Sequence, residues 1–331
     1  MNFNIISSAF KNFNNLEVLV IGDAMLDTYQ WGKITRNSPE APVPVINISK
    51  KENRLGGAAN VAKNILALGA KVRLCSSIGL DRSGEVFKIL MKKNGLTNKH
   101  LIHTKKPTTT KTRIIADNKH IVRIDEENTS FNTNNEEFLL TVKKLINSTY
   151  FDIVILQDYN KGLLNKVTIT PLLQLLQKNG IKTVVDPKFD NFNLYKDVDL
   201  IKPNLIELNH AIKKNFEPNN INAIANNMRE KSMKLNSKLI MVTLSENGII
   251  ILDKNKKIHT KGIRINPIDV SGAGDTVVSI ASLCLAKKLP MNYISEISNY
   301  AGAQVCEKVG VVTINKNSLL KSIKKNFIKD A

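Results

Sequence analysis

Short runs of β-branched and aliphatic residues alternate along this chain with stretches whose apolar positions recur every three or four residues. The short runs fall at Val18–Gly22, Val72–Ile78, Ile153–Leu156, Thr183–Asp186, Leu200–Lys202 and Leu239–Leu244. Helical spacing covers Gly56–Leu68, where Ala58, Val61, Ala62, Ile65 and Leu66 share one face and Gly69 follows as a stop. It recurs near 84–93, 134–147, 165–178, 219–234, 276–287 and 291–308. Such alternation predicts an α/β fold in which a mostly parallel central sheet is flanked by helices. Leu16–Ile21 is apolar at nearly every position, as a strand buried on both faces should be.

Two segments break the rhythm. Ala41–Ile48 is extended, but Pro42 and Pro44 suit only an edge strand. Thr108–Ala116 and His120–Glu126 alternate apolar with polar residues around Asp117, Asn118 and Lys119, which predicts a hairpin. Together they predict a small β-lid, at about 30–50 and 105–127, over the carboxyl ends of the sheet strands where open α/β sheets take ligands. Residues 1–15 read as a loosely held lead-in and 16–331 as one domain, since no Gly/Ser or Pro linker divides the chain.

Composition narrows the possible functions. The 331 residues carry 48 Lys and Arg against 29 Asp and Glu, a formal charge of +19, but the lysines are scattered and often sit beside asparagine. With no block of like charge and only 5% aromatic residues, anionic small molecules fit better than nucleic acid. No apolar stretch is long enough for a membrane span, and the N-terminus lacks a secretory pattern. Cys75, Cys284 and Cys306 lie in apolar contexts, as buried thiols of a reducing compartment would, and a cytoplasmic location is expected. His100 and His103 have no third ligand nearby, and neither a Walker A sequence nor G-x-G-x-x-G after the first strand is present.

The most informative stretch is Ile268–Thr276. Gly272, Ala273 and Gly274 form a turn into an apolar helix, with Asp275 in its first turn. Unpaired N–H groups at such an end attract phosphate, and a carboxylate beside it can take a proton from an attacking hydroxyl. Read alone, this could equally be an ordinary strand-to-helix turn. A second glycine pair, Gly56-Gly57, opens the helix carrying Asn60, and Asp23 and Asp27 follow the first strand. Asp158 and Lys161, then Lys188, then Asn204 and Glu207 follow three successive strands and make a polar rim. Thr243, Ser245 and Gly248 end the next strand in a turn suited to ribose or phosphates.

Gly56-Gly57 with Asn60, and Gly272-Ala273-Gly274-Asp275, resemble the two signatures of the ribokinase-like (PfkB) carbohydrate kinases over about residues 16–320. Within that family, Gly22–Asp27, Ser38–Val45 (SPEAPVPV), Arg54–Ala62, Thr110–Arg113 and Val122–Asp125 are similar to the kinase domain of the heptose-7-phosphate kinases. The resemblance implies ATP-dependent phosphorylation of the anomeric hydroxyl of D-glycero-β-D-manno-heptose 7-phosphate, feeding ADP-heptose and the lipopolysaccharide core. It implies Asp275 as base and the Gly272–Gly274 backbone as anion hole. Asn204 and Glu207 would serve ATP and Mg²⁺, with Glu207 reaching the metal through water. Asp27, Gly56, Gly57 and Asn60 would hold the sugar, and K⁺ would sit near Asp269–Ser271. The lid would double as a homodimer interface. No histidine lies in an H-x-G-H motif, so a separate nucleotidyltransferase is expected as pathway partner.

A sugar that already bears phosphate needs cations at its far end. Arg36, Lys111, Arg113 and Arg123 fall on the expected lid, with Lys161 and Lys188 in reserve on the rim. Gln157 departs from the small residue of relatives. Other family kinases acting on ribose, fructose or fructose phosphate, and a non-catalytic sugar-responsive protein, are the alternatives.

Overall fold

A computed structural model describes residues 2–117, 119–128 and 134–329. Asn118, at the tip of the expected hairpin, lies outside the described residues.

The sheet follows from strands that must be buried on both faces. Its members are β1 (Glu17–Gly22), β4 (Lys71–Gly79), β5 (Leu101–Thr104), β8 (Ile153–Gln157), β9 (Lys182–Asp186), β10 (Leu200–Ile201), β11 (Leu239–Thr243), β12 (Ile249–Leu252) and β13 (Lys257–Thr260). They run in the order β13-β12-β11-β10-β9-β8-β1-β4-β5. The pairs from β11 across to β5 are parallel, and β12 and β13 are added antiparallel at one edge. Along β1, Val18 and Val20 enter one apolar core and Leu19 and Ile21 the other. That alternation between two buried faces is why all four positions from Val18 to Ile21 are apolar.

One face is covered by α2 (Ala58–Ala67), α3 (Arg82–Lys93), α8 (Ala273–Ala286), α9 (Met291–Cys306) and α10 (Lys316–Lys329). The other is covered by α4 (Asn135–Ser148), α5 (Ile169–Lys178), α6 (Leu205–Ile212) and α7 (Ile221–Leu235). Helix starts are set locally: Asp81 accepts from the Gly84 N–H at 2.7 Å to cap α3, and Asn134 accepts from the Glu137 N–H at 3.1 Å to cap α4.

The lid is a separate four-stranded sheet in the order β3-β2-β6-β7, made of β2 (Ala24–Asn37), β3 (Pro44–Gly57), β6 (Thr110–Ala116) and β7 (Lys119–Glu126). It starts earlier than the sequence suggests. Residues 24–27 look like a loop because Asp27 comes close after Asp23, yet β2 leaves the central sheet with only Asp23 intervening and runs for 14 residues. Asp27 is therefore a lid-strand residue, and β3 ends on the Gly56-Gly57 pair that opens α2.

The lead-in also differs from expectation. It forms α1 (Phe3–Lys11), capped by Asn2, which accepts from the Asn4 N–H at 2.9 Å. Ile6, Phe10 and Phe13 are fully buried in the first core. Their spacing is that of an amphipathic helix, and the flanking asparagines hide it by lowering the mean hydropathy. Phe10→Ala should lower the stability of the domain by about 3–5 kcal/mol, measurable as a shifted urea midpoint with an unchanged slope.

Candidate active site

α8 begins in an unusual way. Gly272, its N-cap, takes φ +79°, and an added Cβ would also lie 3.0 Å from the Asn60 amide nitrogen. No side chain caps this helix. The Ala273 N–H donates to the Val270 carbonyl at 3.2 Å, and the turn borders a cavity of about 720 Å³ that Val270, Ala273 and Gly274 help to line. An open helix N-terminus at the edge of a cleft favours an anion there.

Asp275 sits one residue further on and is only 3% exposed. Its carboxylate accepts from Asn60 Nδ2 at 2.8 Å, from the Tyr159 hydroxyl at 2.7 Å and from Gln157 Nε2 at 3.3 Å. Burial pushes its pKa up to about 7, with the Asp186 carboxylate adding to the rise, while Asn60, Tyr159 and Lys202 oppose it. Burial first, and then Asp275 itself, drive the Tyr159 hydroxyl well above its ordinary value, so it stays protonated and keeps donating. Asn60 Oδ1 and Gln157 Oε1 are buried and have no partner among the described residues. Two unpartnered acceptors beside a proton-accepting carboxylate suit a ligand rich in hydroxyl donors.

On one side of this turn the cleft has the chemistry of a nucleotide site. Lys202, fully buried, pairs with Asp186 at 2.9 Å, and Asp186 also accepts from Gln157 Nε2 at 3.0 Å. The Lys202 ammonium lies 3.8 Å from where a Gly274 Cβ would be, so it borders the same turn. Asn204 and Glu207 form a reciprocal capping box on α6 at 2.8 and 2.9 Å. The other Glu207 oxygen holds Lys188 at 2.5 Å. Thr243, Ser245 and Gly248 line the cleft, and Ile249, Ile263, Ile265, Val277 and Ala303 give it an apolar wall. Ser298 Oγ, also lining it, is buried without a partner among the described residues. An apolar slot with one unsatisfied hydroxyl, next to buried cations, fits a base-and-phosphate ligand. The Glu207 oxygens are both engaged, which suits a metal reached through water.

On the other side lies the lid. Asp27 is buried and bound by Arg113, and its pKa is raised by burial against the pull of that guanidinium. Its Oδ2 lies 2.0 Å from where a Gly56 Cβ would stand, so only glycine fits at 56. Asp23 accepts the backbone N–H groups of Tyr159, Lys161 and Leu163 at 3.0, 3.0 and 3.2 Å and so hangs the 158–163 loop on the end of β1.

The expected sugar contacts are sorted differently in space. Asp158 turns inward and accepts from the Tyr195 hydroxyl at 2.7 Å and Asn191 at 3.0 Å; burial, then Asp23, raise it to about 6. Lys188 is on the nucleotide side with Glu207. Arg36 is nine residues along β2 from Asp27, about 30 Å away for an extended strand. Arg123 chelates Asp125 at 2.9 and 3.0 Å. Asp269 accepts from the Ser271 N–H at 2.9 Å and the Gly310 N–H at 2.8 Å, and those N–H groups, opposing its partial burial, hold it below its usual value. It braces two loops, and among the described residues no group of three or more His, Cys, Asp or Glu could hold a metal. The same 309–311 loop is gripped from the lid: Arg54 Nη1 donates to the Val309 and Val311 carbonyls at 3.0 and 3.1 Å, and the Tyr29 hydroxyl accepts from the Val311 N–H at 2.8 Å. Gln157, Tyr159, Asp186, Lys202 and Arg54 fall within runs that the sequence brings to notice, but the sequence alone assigns none of them a role in the site. Four of the five lie at or just past the carboxyl ends of parallel strands, which is the signal that could have found them.

A mostly parallel sheet with a β-lid, and a buried carboxylate at an open helix N-terminus between a nucleotide-like cleft and that lid, define a ribokinase-like phosphotransferase. The profile described as pfkB family carbohydrate kinase matches residues 15–317, and the chain belongs to that family. The bifunctional protein HldE of Campylobacter curvus (strain 525.92) is 38% identical over 301 residues, 91% of this chain and 63% of the relative. HldE of Helicobacter pylori (strain Shi470) is 37% identical over 299 residues, 89% of this chain and 63% of the relative. The chain thus spans a little under two thirds of the length of these curated relatives. Among solved structures, phosphofructokinase-2 from Escherichia coli in complex with potassium superposes with a TM-score of 0.78 at 17% identity, covering 92% of this chain and 97% of that one. A ribokinase from Thermotoga maritima gives 0.69 at 18% identity, covering 94% and 100%. At these identities the superpositions establish the fold alone.

Asp275→Asn should keep the fold and cost about 10²–10⁴-fold in turnover. The sign of its stability effect is fixed by the raised pKa. The unfolded carboxyl ionises near 3.8 and the folded one near 7, so the folded state loses stability as pH rises between them. Above pH 7 the variant should therefore be the more stable protein, by up to about 4 kcal/mol, with the gap closing toward pH 4 in thermal melts. The wild-type kcat/KM should rise with pH through an apparent pKa near 7, and this limb should vanish in the residual activity of the variant.

Proposed function

We propose that this chain transfers the γ-phosphoryl group of ATP to the anomeric hydroxyl of D-glycero-β-D-manno-heptose 7-phosphate, giving the 1,7-bisphosphate and ADP. The observation that carries the reaction is Asp275, a buried carboxylate with a pKa raised to about 7 at the uncapped start of α8. The choice of sugar is supported by the similarity to HldE proteins along about nine tenths of the chain and by the SPEAPVPV segment.

In this reading the hydroxyl lies against Asp275, with Asn60 Oδ1 and Gln157 Oε1 accepting from neighbouring hydroxyls. The hydroxyl oxygen attacks the γ-phosphorus in line as its proton passes to the Asp275 carboxylate, and the bond to the ADP oxygen breaks. The Gly272–Gly274 amides and Lys202 meet the charge that spreads over the transferring group. Glu207 would hold a Mg²⁺ through water, and that ion would supply charge neutralisation for the leaving group. A K⁺ beside the 269–271 loop would be held by backbone carbonyls, since Asp269 is already bonded to two N–H groups. Asn60 and Tyr159 hold the carboxylate in place and keep it from becoming too strong a base.

The lid is also read as a homodimer surface: Val122, Ile124, Ile34 and Val43 are exposed along it. A nucleotidyltransferase activity would act downstream of this product. No helix among the described residues is long and apolar enough to cross a membrane, and a cytoplasmic site of action is part of the proposal. The test is ADP release with a panel of sugars. Heptose 7-phosphate should be turned over at least a hundredfold more efficiently than ribose, fructose or fructose 6-phosphate; equal or better use of an unphosphorylated sugar would refute this assignment.

A further inference from the structure

A sugar phosphate brings a dianion several bonds from the hydroxyl that reacts, and that dianion needs cations of its own. Most of the cations that the sequence offers are already committed or misplaced. Arg113 is bound to Asp27 and lies over the Tyr29 ring at 5.2 Å. Arg123 encloses Asp125, Lys188 belongs to Glu207, and Arg36 stands at the distal end of the lid. Lys111 and Lys161 remain. They come from different elements, one from β6 and one from the loop after β8, yet both reach the same oxygen of one carboxylate. Glu127 Oε2 lies 2.7 Å from Lys161 Nζ and 3.6 Å from Lys111 Nζ.

We propose that Lys111 and Lys161 form the subsite for the phosphate already present on the sugar, and that Glu127 is a resident counter-ion which this phosphate displaces. The proposal rests on the reading of the chain as a sugar-phosphate kinase.

Three observations support it. The pair flanks the sugar side of the base: Lys111 stands opposite Asp27 in the β2–β6 ladder, and Lys161 follows by two residues the Tyr159 whose hydroxyl holds Asp275. Tyr159 and Lys161 both hang by their backbone from Asp23 Oδ2, so the loop that steadies the base also fixes the position of one lysine. The lysines are mostly covered, with side chains 14% and 16% exposed, whereas Glu127 is 26% exposed and lies just past the end of β7. Glu127 can therefore swing into water without breaking a ladder hydrogen bond. A phosphate near neutral pH carries close to two negative charges and three acceptor oxygens, so it offers two ammonium groups more than one carboxylate does. Lys111 keeps Asp125 at 2.9 Å throughout, which limits repulsion within the pair.

The experiment is steady-state kinetics on the full chain with inorganic phosphate as a second probe. Lys111→Met and Lys161→Met should each raise KM for the sugar phosphate by about tenfold to a hundredfold, with kcat and the KM for ATP within threefold of wild type. Inorganic phosphate should compete with the sugar phosphate in the wild type and about tenfold less well in both variants. Glu127→Gln should lower the sugar-phosphate KM severalfold, and Lys161→Arg should restore most of the affinity lost in Lys161→Met. If the wild type uses the sugar phosphate and both methionine variants keep its KM, the subsite is elsewhere although the kinase reading stands. A raised KM in Glu127→Gln overturns the counter-ion role. A wild type that accepts only unphosphorylated sugars overturns the sugar-phosphate reading on which this proposal rests.

Discussion

The structure depends on holding one carboxylate out of water without letting it go neutral for good. Desolvation lifts the Asp275 pKa, and three groups from separate parts of the chain oppose the rise: Asn60 from α2, Tyr159 from the loop beyond β8 and the Lys202 ammonium just past β10. The balance leaves a pKa of about 7, where a base is about half ionised at neutral pH and matched to accepting a proton from a hydroxyl. The cost is stability, since an ionised buried carboxylate opposes folding. Two large cores on either side of the sheet offset it. A site built in this way cannot be local, because no stretch of sequence near residue 275 supplies the donors that set its basicity.

The lid is tied to the same centre through backbone. Arg54 and Tyr29, on lid strands, grip the 309–311 loop by its carbonyls and one N–H, and Asp269 bonds that loop to the segment that leads into the Gly272 turn. Gly272 in turn leaves only 3.3 Å between a notional Cβ and Val311. Lid, loop and anion hole are thus one packed unit. A displaced lid strand would strain the 309–311 loop and, through Asp269, the segment that leads into the Gly272 turn.

What the sequence reveals follows from how local each cause is. β1 and β8 are legible because strands buried on both faces must be apolar over their central positions, and the glycine-rich starts of α2 and α8 because close approach excludes a Cβ. The bases of these motifs, Gly56 against Asp27 and Gly272 against Asn60, are visible as residue types but not as contacts. β2 is obscured because Asp27, close after Asp23, looks like a loop residue until Arg113, 86 positions on, is brought beside it. α1 is hidden by its asparagines. The roles of Asp158 and Lys188 could not be read either, since whether a strand-end charge faces ligand or interior is decided by Tyr195 and Glu207, from neighbouring segments of the chain.

The charges around the cleft complete the picture. Lys202 has Asp186, Lys188 has Glu207, Arg113 has Asp27, and Lys111 with Lys161 has Glu127. In a protein of net charge +19, the cations around the cleft therefore carry their own anions. This removes the self-repulsion that a bare cluster of cations would impose on the folded state. It also changes what binding measures. An incoming anion gains only the difference between its own contacts and those it replaces, so one extra charge in the wrong place gains little, while a dianion with several acceptor oxygens gains at each cation it reaches. Selectivity for a doubly charged ligand then arises from exchange against resident carboxylates, and it is compatible with a surface whose excess lysines bind nothing in particular.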